Sequence, residues 1–223
     1  MTRRAAHRIT CAALIAVSTA GAHACYTGLT IIPTAEVLDR GEYGIEQQFD
    51  GVFPVTGADR RILNTEFGIL PGLEAGVDFD LSDVAESNVL LNAKYLICES
   101  GKHRPALAVG ICNCNAGDNV GSSPYLVATE DFRGLRGHLG IVRVEGRNRW
   151  FVGSDRAIND RLTIMADYVS GPENSSSAGF SYQLNDRFGV LAGAVLPNAR
   201  GQDTGFTLHF VLNGPFSNSG REE

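Results

Sequence analysis

From residue 42 to the end of the chain, apolar and polar residues alternate in short segments. "EYGIEQQFD" (42–50) places Tyr43, Ile45 and Phe49 on one face and Glu42, Glu46, Gln48 and Asp50 on the other. "LNTEFGI" sets Leu63, Thr65, Phe67 and Ile69 against Asn64, Glu66 and Gly68. "LEAGVDFDL" is the cleanest: Leu73, Ala75, Val77, Phe79 and Leu81 oppose Glu74, Gly76, Asp78 and Asp80. A period of two is the mark of a strand with one apolar and one polar face. Such segments are predicted at 42–50, 61–69, 73–81, 88–98, 106–114, 124–131, 137–145, 149–157, 162–170, 177–185, 188–197 and 203–212. They make about twelve strands and leave no long segment with a helical period.

The connections differ in length. "LPG", "INDR" and "DR" are short, and "SGKHR" and "FRGLR" are compact. The alternate set is longer and more polar: "GVFPVTGADR", "SDVAES", "NAGDNVGSS", "GPENSSS" and "NARGQD", with "GRNR" between strands 7 and 8 as the exception. Sorting of this kind belongs to an up-and-down barrel with short turns at one membrane face and longer loops at the other. Alternation alone does not say which face points outward. Roughly eight strands already make a barrel that side chains fill, so about twelve enclose more than apolar side chains occupy. The segments are near the roughly 9–11 residues that a tilted strand needs to cross a bilayer. The reading is an all-β, up-and-down antiparallel transmembrane β-barrel with its apolar face to lipid. An exported soluble β-barrel is the competing architecture.

The N-terminus supplies an export signal. Arg3, Arg4 and Arg8 precede the apolar run 9–21, and Ala22-His23-Ala24 is a small-residue cleavage site before Cys25. The expected organisation is a signal peptide (1–24), a periplasmic lead-in (25–41), the barrel (42–213) and a polar tail (214–223). Cys25 is then a plain mature N-terminus or an acylated one; the lack of a Leu three residues before it favours the plain one. Within the lead-in, Pro33 to Gly41 is predicted to form a short helical turn ended by the glycine. The lead-in either tucks into the lumen or packs at the barrel mouth.

Removing 1–24 takes away three Arg and no acid, leaving 16 Lys+Arg against 25 Asp+Glu. That formal charge of −9 argues against nucleic acid as a partner. No cofactor or metal motif is present: Cys112-Asn113-Cys114 is too tight for zinc and no second pair follows. Cys98, Cys112 and Cys114 share one parity and are read as free residues in the wall. His103, His138 and His209 have no nucleophile or carboxylate at a diagnostic spacing, so the chain is not expected to be an enzyme.

The lead-in and first hairpin carry a resemblance. "GLTIIPTAEVLDRGEYGI" followed by "TEFGILPGLEAGVDFDL" resembles the start of a group of Gram-negative outer-membrane barrel proteins that includes YjbH-like, exopolysaccharide-associated members. The resemblance is confined to about residues 28–81. It implies an outer-membrane barrel, with a role in transport or polysaccharide export, and transfers no catalytic residue.

If the polar faces line a lumen, its acidic candidates are Glu42, Glu46, Asp50, Glu66, Glu74, Asp78 and Asp80, and its lumen or rim basic candidates are Lys94, Arg143 and Arg156. Residues 39–99 hold 12 acids and 4 bases, whereas 133–161 hold 7 Arg and 3 acids. Two arrangements follow. Opposed walls would set a transverse field across a pore. Alternatively, an inward Lys94 beside Glu74 or Asp78 would make buried pairs and fill the lumen. The expected function is a passive pore or an envelope and polysaccharide-export barrel; a non-conducting, partner-binding barrel is the alternative. The expected partners are outer-membrane lipid and lipopolysaccharide, with polysaccharide or small polar solutes as cargo.

Overall fold

The computed structural model describes residues 27–55, 57–82, 88–115 and 121–216. The expected signal peptide (1–24), Cys25 and most of the expected C-terminal tail lie outside the described residues. The strands are β1 (Glu42–Val52), β2 (Arg60–Leu70), β3 (Leu73–Asp80), β4 (Asn88–Cys98), β5 (Ala106–Asn115) and β6 (Ser123–Asp131). They continue as β7 (Arg136–Val144), β8 (Arg147–Ala157), β9 (Leu162–Val169), β10 (Ser175–Gln183), β11 (Phe188–Pro197) and β12 (Gly205–Pro215). All twelve pair antiparallel with their sequence neighbours, and β1 pairs with β12 to close the barrel. Closure leaves no unpaired strand edge. Among the described residues there is no helix.

The alternation seen in the sequence becomes the two faces of the wall. In β2, Ile62, Asn64, Glu66 and Gly68 are buried, while Thr65 and Phe67 between them are not. In β3 the buried residues are Glu74, Gly76 and Asp78. The opposite parity carries exposed large apolar residues all round the barrel, among them Tyr95, Ile97, Leu126, Leu139, Ile141 and Trp150. A water-soluble chain would not leave so large an apolar belt uncovered. Charged groups inside and a hydrocarbon surface outside is the pattern of a barrel whose outer solvent is lipid.

Two connections depart from the expected sorting. "GRNR" is not a loop: the turn is Glu145–Gly146 alone, with φ of 48° and 74°. Both central residues with positive φ make the tight hairpin turn that matches strand twist, so β8 starts at Arg147 and takes in Arg149. The 99–105 connection is as long as 53–59 on the other set. Length therefore sorts the two barrel ends only loosely.

The interior is not an open tube. Leu29, Ile32 and Ala35 of the lead-in pack against buried residues of β5 to β9 and β11, including Ala108, Tyr125, Val127, Phe151 and Leu191. This inserted segment supplies the material that twelve strands by themselves lack. The predicted helical turn at 33–41 is absent. Pro33 instead bridges back to Gly28, and the chain beyond is irregular up to a turn at 40–41. The physical reason is competition: backbone amides of this segment donate to side chains of the barrel wall rather than to a helical turn.

Candidate functional site: the barrel interior and its lead-in

Two kinds of wall face each other across the lumen. On β1 to β4 and β12 the inward side chains are mostly polar, with Ile62 among the exceptions. On β5 to β9 they are largely apolar, with isolated polar groups. The lead-in lies between them, its apolar side chains toward the second wall and its backbone groups bonded to polar side chains on three sides.

The first grip is on β3 and β4. The Lys94 ammonium lies 3.0 Å from Glu74, with each side chain 1% exposed. Lys94 donates to the carbonyl oxygens of Thr27 (3.2 Å) and Thr34 (3.4 Å) and contacts the Thr27 hydroxyl. Glu74 accepts from the Thr27 hydroxyl (2.6 Å) and the Leu38 amide (2.9 Å). The pair is buried, so it persists only because its remaining donors and acceptors are met by the lead-in.

A second grip comes from β6 to β8. The Ala35 amide donates to Thr129 Oγ1 (2.9 Å), which lies 2.9 Å from His138 Nδ1. His138 Nε2 is 2.8 Å from Asp155 Oδ1, and Arg136 binds the same carboxylate through Nε and Nη2. Arg136 also pairs with Glu36 of the lead-in. This hydroxyl–imidazole–carboxylate chain superficially resembles a hydrolytic triad. Its hydroxyl is buried and already accepts a backbone amide, so the arrangement is a satisfied core network.

A third grip is Asp167 on β9, whose carboxylate accepts from the Ile31 amide (3.0 Å) and from the Ser177 hydroxyl. Here the lead-in hairpin reaches the far wall. A Cβ at Gly193 would meet the Thr30 methyl at 3.0 Å, and one at Gly153 would meet Ile32 Cδ1 at 2.5 Å. Glycine at these wall positions is what lets the lead-in backbone come so close. Cavities of about 150 Å³ and about 220 Å³ remain on the two sides of the hairpin, one containing Thr30 and Asp50 and the other Leu29 and Glu46.

The acidic residues singled out from the sequence fall into two groups. Glu46, Glu66, Glu74 and Asp78 are buried on the inner wall. Glu46 accepts from Asn64 (2.8 Å) and lies 3.0 Å from His209 Nδ1, which ties β1 to β12 across the closing seam. Asp78 accepts from Asn92 (2.6 Å), and Asp50 accepts from Thr207 (2.6 Å). Glu42 and Asp80 are nearer the strand ends: Glu42 accepts from the Asp39 amide (3.2 Å) and Asp80 lies 3.6 Å from Arg60.

The basic residues do not form an opposing wall. Lys94 is inside, but Arg143 and Arg156 are exposed, on the outward parity of Ile141 and Val152 and close to the ends of their strands. The inward positions beside them are Val142, Val144 and Asp155. Arg143 and Arg156 thus add nothing to a transverse field in the lumen; of the same stretch, inward Arg136 is tied to Asp155 and Glu36. Arg149 lies in β8 and donates to Glu173 at 2.6 Å. Glu173 sits in the connection after β9, where a hydrogen bond from its own backbone amide, followed by Arg149, holds its carboxyl below the usual range.

Sequence reasoning missed Thr27, Thr129, Asp155 and Asp167. A signal was present for Asp167, the one charged residue of β9, and for Asp155, the one acid of β8. It also misread the cysteines. Asn113 has φ 59° and the β4–β5 register shifts beside it, so Cys114 pairs with outward Leu91 while Cys112 stays inward. Cys112 is disulfide-bonded, and Cys98 and Cys114 carry free thiols. His138 and His209 are core histidines with partners.

No protein family and no curated protein matches the sequence. Solved structures similar in fold include the KdgM porin, with a TM-score of 0.55 and 11% identity over 76% of this chain and 98% of that one. The KdgM porin in complex with disordered oligogalacturonate gives 0.53 and 10% over 77% and 98%. At these identities the likeness is one of architecture: the chain has the closed antiparallel fold of outer-membrane porins.

Proposed function

We propose that this chain is an exported outer-membrane barrel that passes small polar solutes passively, with its lead-in as the element that closes and opens the lumen. The observation that carries the reading is the pairing of a lipid-type outer face with a polar inner wall across which residues 27–38 lie, held by side chains rather than by continuous sheet. Residues 1–24 act as the cleaved signal. Charge sets the solute preference. Glu46, Asp50, Glu74 and Asp78 outnumber Lys94 and Arg60 on the polar wall, which favours cations and neutral polar solutes over anions. That differs from the anionic oligogalacturonate found in complex with the KdgM porin, so neutral polysaccharide fragments are the saccharide class to test. Membership of the YjbH-like, exopolysaccharide-associated group is part of this proposal and rests on the motif at 28–81. The hairpin that carries Arg143 and Arg147 lies at the barrel end opposite the start of β1 and the end of β12, and in this proposal these two side chains are the ones to meet lipopolysaccharide phosphates.

The second reading is a non-conducting structural barrel, favoured by the completeness of the lead-in's contacts. Fractionation with heat-modifiable gel mobility tests the location, and planar-bilayer recording tests conduction. Channels whose reversal potential in a KCl gradient shows cation preference support the first reading. Silence from both the wild-type protein and a lead-in-releasing variant supports the second. A soluble periplasmic location overturns both.

A further inference from the structure

We infer that solutes cross this barrel off its axis, between the lead-in hairpin and the wall of β10 to β12 and β1, with Thr30 setting the narrowest point. Such a route presupposes the passive pore proposed above, and gives it a path and a width. Two cavities lie along this one wall. The cavity of about 150 Å³ takes in Gln48, Val195 and Thr207 and reaches exposed Asp59 and Asp203, at the end where β1 finishes and β12 begins. The cavity of about 220 Å³ takes in Glu46, Leu191 and Val211 and reaches Gln183 and Gly189, beside the β10–β11 turn at the other end. Between them β11 has one inward residue, Gly193, and β12 has one, His209; on β1, Gln48 and Glu46 are successive inward residues. Successive inward residues stand about 7 Å apart along a strand. The partition between the cavities is therefore about one side-chain layer thick.

Thr30 is the lead-in side of that partition. A Cβ on Gly193 would meet its Cγ2 at 3.0 Å, and one on Gly179 would meet its Oγ1 at 3.1 Å. The Thr30 side chain thus fills a gap that two wall glycines leave. It is 3% exposed, and among the described residues its hydroxyl has no hydrogen-bond partner. A buried hydroxyl left unpaired is costly. A hydroxyl of a passing solute satisfies it at the narrowest point. The other sides of the lead-in are tighter. Toward β5 and β6 the cavity beside Ile31 and Cys112 is about 20 Å³, room for about one water. Toward β3 and β4 the chain is bonded to Lys94 and Glu74. Acids exceed bases in both cavities of the route, with Asp50, Asp59 and Asp203 against Arg60 in one and Glu46 and Asp155 against Arg136 in the other. A cavity of about 150 Å³ holds one six-membered ring. The solutes that fit are small cations and neutral hydroxylated molecules no wider than a single sugar ring.

The test is planar-bilayer recording, with lead-in proteolysis, on the full-length protein isolated from the envelope. Thr30→Ala removes the methyl and the hydroxyl from the partition and breaks no side-chain hydrogen bond, so the barrel should fold as before. Its single-channel conductance should rise several-fold, with clipping before residue 42 at the wild-type rate. Gly193→Ala sets a methyl against Thr30 and should lower conductance, and in the double variant the two changes should offset. In a background of Cys98→Ser and Cys114→Ser, Thr30→Cys should lose most of its current when a positively charged methanethiosulfonate is added to either chamber. Wild-type current that Thr30→Ala and Gly193→Ala leave unaltered, or a Thr30→Cys channel untouched by the reagent, overturns the route and leaves the pore standing. So does a rise in Thr30→Ala that comes only with faster clipping, because passage then needs the lead-in to leave. Silence from the wild type and Thr30→Ala beside current from a lead-in-releasing variant also overturns the route alone. Silence from all three overturns the pore and the route with it.

Discussion

Lys94 on β4 and Glu74 on β3 form an ion pair of 3.0 Å inside the barrel, and both also bind the lead-in that crosses it. The pair thus does two jobs. It neutralises charge in a space with little water, and it offers the inserted backbone a donor and an acceptor. Each half is tolerable there only because of the other and of the lead-in between them.

Removing one partner should therefore cost more than removing both. Lys94→Met leaves the Glu74 carboxylate buried without its cation and should destabilise the barrel by about 3–5 kcal/mol. Lys94→Met combined with Glu74→Leu should be milder than Lys94→Met alone. Urea unfolding in lipid vesicles measures both; a double variant as weak as the single one would show that the lead-in contacts, not the unpaired charge, dominate.

The closing of the lumen should yield to a steric change in the wall. Gly153 is backed by Ile32 and Leu29, whose terminal carbons a new Cβ would meet at 2.5 and 2.8 Å. Gly153→Leu should push the lead-in out while the β8 ladder stays paired. The expected result is faster protease clipping before residue 42 and higher bilayer conductance, with the barrel still heat-modifiable. Unchanged clipping would mean that the lead-in repacks rather than leaves.

Thr129 joins the Ala35 amide to His138, so Thr129→Val should strand both. An unmet buried donor costs about 1–3 kcal/mol. Hydrogen exchange at the Ala35 amide should accelerate by roughly ten- to a hundredfold, since about 1.4 kcal/mol corresponds to a factor of ten. No acceleration would place the hold on this segment elsewhere, at Glu74 and Asp167.

Leu139 is 60% exposed near the middle of β7. On a lipid-facing surface, Leu139→Arg should cost about 2–4 kcal/mol in vesicle refolding. On a water-facing surface the same change would be neutral. The sign of this single result separates a membrane barrel from a soluble one.

Much of this architecture is legible in the order of residues alone. Each of the twelve alternating segments forms a strand, and within each acidic segment the parity assigned to Glu46, Glu66, Glu74 and Asp78 is the buried one. Alternation is a local consequence of the pleat, so a few residues suffice to reveal it. For Arg143 and Arg156 the sequence left lumen and rim open; their outward parity near the strand ends excludes the lumen half, which a count of charges ignores. The cysteine parity failed at one residue, Asn113, whose left-handed backbone flips the register beyond it.

The course of the lead-in was beyond local reading. Ile31 meets Asp167 and Ala35 meets Thr129, partners 136 and 94 residues away. No period marks a segment whose backbone donors are met by scattered side chains of a closed wall. Local alternation determined the strands, their faces and the class of barrel. The closure of twelve strands created an interior too wide for their own side chains, and only that tertiary space decided that residues 27–38 would fill it.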